Sequence, residues 1–135
     1  MESGDEARPP TLTHAIIHDE THYFGLPGNP VSSIVTFHQF VRPAINAMLG
    51  VSTTAPISVN ARLSGNIGKR AGRVELQRGL LEKNEDGEWM VSSTGQQDSH
   101  VLSSMVQANC YIFLDIESVG ATEGQMVETW PFLNF

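Results

Sequence analysis

The residues whose types and spacing could do chemistry gather first in Phe24-Gly25-Leu26-Pro27-Gly28-Asn29-Pro30-Val31-Ser32-Ser33. The stretch reads as a strand end, a turn stiffened by two prolines, and the first turn of a helix. Pro30 suits the first helical position, where its missing N–H would have no intrahelical partner and its φ is already set. Asn29 suits the N-cap, because its side-chain oxygen can accept an otherwise orphaned amide of the first turn. Gly28 leaves room for a group to approach the backbone. Val31, Ser32 and Ser33 would then offer amides and two hydroxyls at the positive end of a helix, which suits a phosphate or oxyanion. Tight strand-to-helix connections also favour Pro, Gly and Asn, so these residues fit a structural turn as well as an anion site.

Charge gives a second candidate. Residues 62–83 hold six of the eight basic residues (Arg62, Lys69, Arg70, Arg73, Arg78, Lys83) against Glu75 and Glu82, whereas residues 84–135 hold eight acids and no base. The whole chain carries −7, which argues against general nucleic-acid binding. A local basic patch on an acidic protein points to a small anionic ligand, and a hairpin with solvated charged faces would look the same. Five residues separate Arg73 from Arg78, so on one regular strand they face opposite sides.

Histidine and cysteine offer less. His14, His18 and His22 recur at every fourth position, which on a helix would align three imidazoles toward a metal. The short apolar runs Ala15–His18 and His22–Leu26 around Asp19-Glu20-Thr21 instead predict a β-hairpin, on which the three would not converge. No metal site is assigned, and no catalytic residue. Cys110 is the single cysteine; its strand-like flanks predict a buried thiol, and its solitude fits a reducing, cytoplasmic setting.

These groups need elements to hold them. Residues 1–13 are polar and proline-containing, and are expected to be a disordered leader. From Pro30 to Leu49, Ile34, Phe37, Val41, Ile45 and Met48 form one apolar stripe, widened by Val31, Val35 and Leu49, with Gly50 as the stop. Pro43 should kink this helix or loosen a turn around residues 39–43. So broad a stripe needs more covering surface than one hairpin supplies. Beyond the linker Val51–Pro56 the pattern turns to short strands: 57–63, 73–82, 88–92, 110–115 and 126–129. Asn84-Glu85-Asp86-Gly87 is a hairpin turn. A short helix is expected between Gln96 and Asn109, with Ser99 as its N-cap or as a donor to an anion. The fold class is therefore α+β, mostly β: a hairpin and one long helix over 14–52, then a small β-barrel over 53–135. No apolar run approaches the roughly 20 residues that span a bilayer.

Taken in order, four stretches resemble one family. They are Gly25-Leu26-Pro27-Gly28-Asn29-Pro30-Val31-Ser32 with its helix through Phe40-Val41-Arg42-Pro43, then Gly72-Arg73-Val74-Glu75-Leu76-Gln77-Arg78-Gly79, Thr94-Gly95-Gln96-Gln97-Asp98-Ser99-His100, and Ala108-Asn109 entering a last apolar strand. Together they resemble the MoeA-type molybdopterin molybdenumtransferases, to which the gephyrin E-domain is similar. The resemblance implies that 14–52 is the C-terminal remnant of an α/β molybdopterin-binding domain and that 53–135 is the family's C-terminal barrel. It implies a reaction that inserts molybdenum from molybdate into adenylylated molybdopterin with Mg²⁺ assisting and AMP released. By the same resemblance Pro27, Gly28, Asn29, Pro30 and Ser32 would line the pterin or phosphate end of a cleft, with Arg73, Arg78 and Ser99 as further contacts. The family's upstream glycine-rich, Asp-bearing and Lys-bearing motifs are not in this sequence. The expectation is a truncated chain, inactive alone, that retains part of the ligand surface. The alternative is a non-catalytic interaction module, or a split half that dimerises or complements a separately encoded upstream part.

Overall fold

The computed structural model describes residues 12–18, 20–28, 30–52, 57–95 and 106–132. The backbone divides into two units, Met1–Thr53 and Thr54–Phe135, each described by itself.

In the first unit β1 (Thr13–Ile17) and β2 (Thr21–Gly25) pair antiparallel, with Thr13 opposite Gly25 and Ile17 opposite Thr21. The chain reverses through His18 and Glu20, both at positive φ, and the Thr21 amide donates to the His18 carbonyl. The helical region that follows is not uniform. It runs as α1 (Pro30–Thr36), a π-helical turn over Phe37–Val41, and α2 (Arg42–Met48). Pro43 is the reason. In a regular α-helix its ring would press on the Gln39 carbonyl and leave that group without a donor. A widened turn just before it relieves the clash, and the Arg42 N–H reaches back five residues to the Phe37 carbonyl. The break therefore starts two residues earlier than residue 39, where the sequence pattern put it. Gly50, at φ 70°, ends the helix: its amide donates to Ala47 and the Val51 amide to Asn46, the paired bonds of a glycine stop. Val31 and Val41 are buried, whereas Phe40, Met48 and Leu49 lie exposed.

The second unit is a closed five-stranded barrel built from β3 (Val59–Ser64), β5 (Glu75–Lys83), β6 (Trp89–Ser93), β7 (Cys110–Leu114) and β9 (Met126–Pro131). Its strands follow the order β3-β6-β5-β7-β9, with β3 and β6 parallel and the other pairs antiparallel. Closure leaves no long unpaired edge. A two-residue pair, β4 (Ile67–Gly68) with β8 (Gly120–Ala121), adds a small sheet that the sequence pattern did not suggest. Alternation along the strands sends Ala61, Leu63, Leu81, Val91, Cys110, Ile112, Leu114 and Val127 into one core, to which Ile67 and Ala121 also belong. Gly79 stands where β5 is paired with β6 on one side and β7 on the other. A Cβ there would come within 3.0 Å of Ile112 and Val91, so glycine lets the core close across the strand. The outer face of β7 is covered too: Tyr111 packs edge-on against Phe132, and Phe113 stacks on Trp130. Asn84 folds over the β5–β6 turn, accepting the Glu88 amide, with Gly87 at φ 81° as its Asp-Gly sequence suggests. Among the described residues, no helix is long and apolar enough to cross a membrane.

Candidate functional site

β2 delivers the chain directly into the proline turn. Leu26, Pro27 and Gly28 follow Gly25 without a further element, and Pro30 opens α1. The Ser33 hydroxyl donates to the Pro27 carbonyl across the turn. That bond gives one of the two expected hydroxyls a structural role, clamping the turn onto the start of the helix. Ser32 is half-buried beside it, Val31 is buried beneath, and Gly28 is exposed with open space where a Cβ would stand. Asn29 and Ser99 lie outside the described residues, as does the body of the helix expected after Ser99. Of that helix only Val106 and Gln107 are described, and they are helical.

Residues of the basic stretch take separate local partners. Arg62 of β3 donates to the Gly124 carbonyl, Lys69 donates to the carbonyls of Arg70 and Ser118, and Lys83 stands over the Trp89 ring. Arg73 is exposed in the loop before β5, and Arg78 is buried within β5. The pair was expected on a single strand over 73–82. The strand instead begins at Glu75, because residues 69–72 bond to the 116–119 loop: Lys69 N–H donates to the Val119 carbonyl and Gly72 N–H, at φ 101°, to the Ile116 carbonyl. Arg78 sits opposite Tyr111 on β7. Burial pushes the Tyr111 phenol up, and the nearby Arg78 cation pulls against that shift. Cys110 is buried as expected, and desolvation drives its thiol up to about 12 although a backbone bond to Gly79 pulls the other way. Such a thiol is unreactive.

The three barrel stretches that carry the family resemblance meet on β5. Thr94 donates through both its amide and its hydroxyl to the Arg78 carbonyl. The Asn109 amide donates to the Gly79 carbonyl, and its side chain takes both backbone groups of Leu81, accepting from its N–H at 2.7 Å and donating to its carbonyl at 2.9 Å. Sequence order offered no sign of this convergence, since Leu81 and Asn109 lie 28 residues apart.

The hairpin also revises the reading of the histidines. His14 stands opposite Phe24 and His22 opposite Ile16, which makes the two imidazoles diagonal neighbours on one face. Their nitrogens, His14 Nε2 and His22 Nδ1, are 3.1 Å apart. Two of the three rings therefore converge, and a hairpin was no bar to it. Elsewhere His38 is held below its ordinary value by burial and then by the Arg42 cation. Among the described residues no three His, Cys, Asp or Glu side chains gather around one point.

Fold and sequence now define a class. The chain belongs to the family described as the MoeA C-terminal region (domain IV), whose model matches residues 60–132. It is 40% identical over 111 residues to the molybdopterin molybdenumtransferase of Haemophilus influenzae, an alignment covering 82% of this chain and 28% of that protein. It is 35% identical over 109 residues to molybdopterin molybdenumtransferase 1 of Mycobacterium tuberculosis, covering 78% of this chain and 26% of the relative. The crystal structure of a molybdopterin biosynthesis moeA protein from Pyrococcus horikoshii OT3 superposes with a TM-score of 0.65 at 26% identity, covering 84% of this chain and 29% of that one. The chain thus spans little more than a quarter of the length of the curated relatives it matches.

Proposed function

We propose that this chain acts in molybdenum cofactor biosynthesis as the part of a cytoplasmic molybdopterin molybdenumtransferase that closes the pterin cleft. The carrying observation is the alignment to the Haemophilus enzyme, which at 111 residues is longer than the barrel and takes in more than the family-model match. On this reading Pro27, Gly28, Asn29, Pro30 and Ser32 face the pterin or phosphate end of adenylylated molybdopterin. Ser99 and Arg73, the latter exposed, add donors, and buried Arg78 acts by holding its charge beside Tyr111. Molybdate is the metal substrate. Mg²⁺, which the resemblance implies, is assigned to no residue of this chain. The 135 residues, little more than a quarter of the length of these relatives, bind the ligand without inserting metal by themselves.

The test is a titration of the full 135-residue chain with AMP and, separately, inorganic phosphate, followed by backbone amide shifts. Movement at Gly28–Ser33 or near Arg73 supports the reading; shifts at neither place overturn the ligand assignment. Purified chain that transferred molybdenum to the adenylylated pterin unaided would overturn the claim of insufficiency.

One observation favours a second reading, a docking role through the helix. Val41 is buried and Ile34 and Phe37 are half-buried, but Phe40, Ile45, Met48 and Leu49 are exposed, an apolar surface suited to a partner chain or second copy. Sedimentation of the chain alone, which would show self-association if this face pairs with itself, separates the two partners.

A further inference from the structure

We infer that His14 and His22 form a two-nitrogen chelate for a divalent transition ion of the zinc and nickel type, independent of the pterin reading. His14 Nε2 and His22 Nδ1 lie 3.1 Å apart in rings tilted by only 11°, and the ring centres are 5.3 Å apart. The nitrogens thus lie between the ring centres, facing each other in nearly coplanar rings. Two bonds of about 2.0–2.1 Å to one ion, closing on nitrogens at that separation, subtend about 98° at the metal, between square and tetrahedral values. Each lone pair must swing by roughly 40° out of the line joining the nitrogens to meet the ion. Both residues are exposed, so the rings are free to turn, and water can fill the remaining positions.

The scaffold restricts the rest. The antiparallel register fixes the diagonal placement, and Phe24 stacks at 4.9 Å against His14 and 6.5 Å from His22, backing both imidazoles with one apolar ring. His18 sits instead in the reversal, at φ 24°. In the absence of metal the same two nitrogens share one hydrogen bond, in which one ring donates and the other accepts. An ion takes the place of that hydrogen bond: the ring that donated shifts its N–H to its other nitrogen, so both imidazoles serve as neutral ligands. Imidazole pairs suit nickel, copper and zinc over magnesium or calcium. β2 continues straight into the proline turn, so an ion here would stiffen the hairpin that presents that turn.

The test uses the full chain, freed of metal with EDTA, titrated with Zn²⁺ alone and Ni²⁺ alone by calorimetry. Long-range ¹H–¹⁵N spectra identify the ligating nitrogens. Zinc should shift His14 Nε2 and His22 Nδ1 at one equivalent, and H14Q or H22Q should each weaken binding by about tenfold or more, since the second ligand acts intramolecularly. H18Q should bind as the parent does. Equal affinity in parent and H14Q, equal loss in H18Q, or no heat at all overturns the proposal. Unchanged amide shifts over Thr13–Gly25 in H14Q and H22Q separate a lost ligand from a lost hairpin, and disruption of those shifts calls for the N-methylated His14 chain, which should bind as weakly as H14Q.

Discussion

Asn109 offers the sharpest test of how the barrel is held. β5 runs to Lys83, but its partner β7 begins at Cys110 opposite Gly79. Past Gly79, among the described residues, the backbone groups on that side of β5 have no strand beside them. The Asn109 carboxamide replaces one, matching the N–H and C=O of Leu81 at 2.7 and 2.9 Å. Asn109→Ala removes two hydrogen bonds at an exposed residue, so water can replace part of what is lost. At about 0.5–1.5 kcal/mol net per bond, discounted for that access, the cost should be about 1–2 kcal/mol. For a domain of this size each kcal/mol lowers Tm by about 4–8 °C, so a fall of roughly 5–15 °C is expected, read by thermal melts and urea midpoints at unchanged m-value. Asn109→Asp should be worse than alanine at neutral pH. Its carboxylate still accepts the Leu81 N–H, but its second oxygen faces the Leu81 carbonyl with no proton between them. Acidification that protonates it should recover part of the loss. An alanine variant within about 0.5 kcal/mol of the parent, or an aspartate variant milder than alanine, would refute the strand-substitute role.

Gly79→Ala should cost about 1–3 kcal/mol by overpacking, and Ile112→Val in the same chain should recover part of it, because Ile112 supplies two of the three atoms at 3.0 Å; urea melts of the double-mutant cycle would show the coupling. Gly120→Ala should cost more than Gly79→Ala. It sits at φ 126°, and its Cβ would fall 2.1 Å from the Ile67 carbonyl oxygen, a backbone obstacle, so amide exchange at Lys69 should accelerate as the β4–β8 pair opens. Cys110 makes an alkaline prediction. Its folded value of about 12 exceeds the ordinary 9.0, so the native state keeps a proton that the unfolded chain releases. The associated stability is complete below pH 9 and lost as pH rises toward 12. Between pH 8 and pH 10 the parent should lose about 1 kcal/mol more than Cys110→Ala; equal slopes in urea melts would refute it.

Much of this protein was written in local pattern. The Asn84–Gly87 turn, the Gly50 helix stop and the five barrel strands follow from short-range rules, since positive φ at glycine and two-residue alternation need no distant partner. The disturbance caused by Pro43 is equally local, although its position depended on which turn could widen. What tertiary structure decided concerns partners that sequence separates. A run of six basic residues suggested an anion patch, and folding gave Arg62 on β3, Lys69 after β4, and Arg78 and Lys83 at two points of β5 each a different neighbour. The odd spacing of Arg73 and Arg78 already set them on opposite faces, and what the chain alone did not show is that Arg73 leaves the strand, because residues 69–72 bond to residues 116–119. The spacing of His14 and His22 suggested a helix or nothing, and only the register of the hairpin turned it into a 3.1 Å contact. A residue type is fixed by sequence, but what its polar atoms meet is fixed by which strands lie side by side.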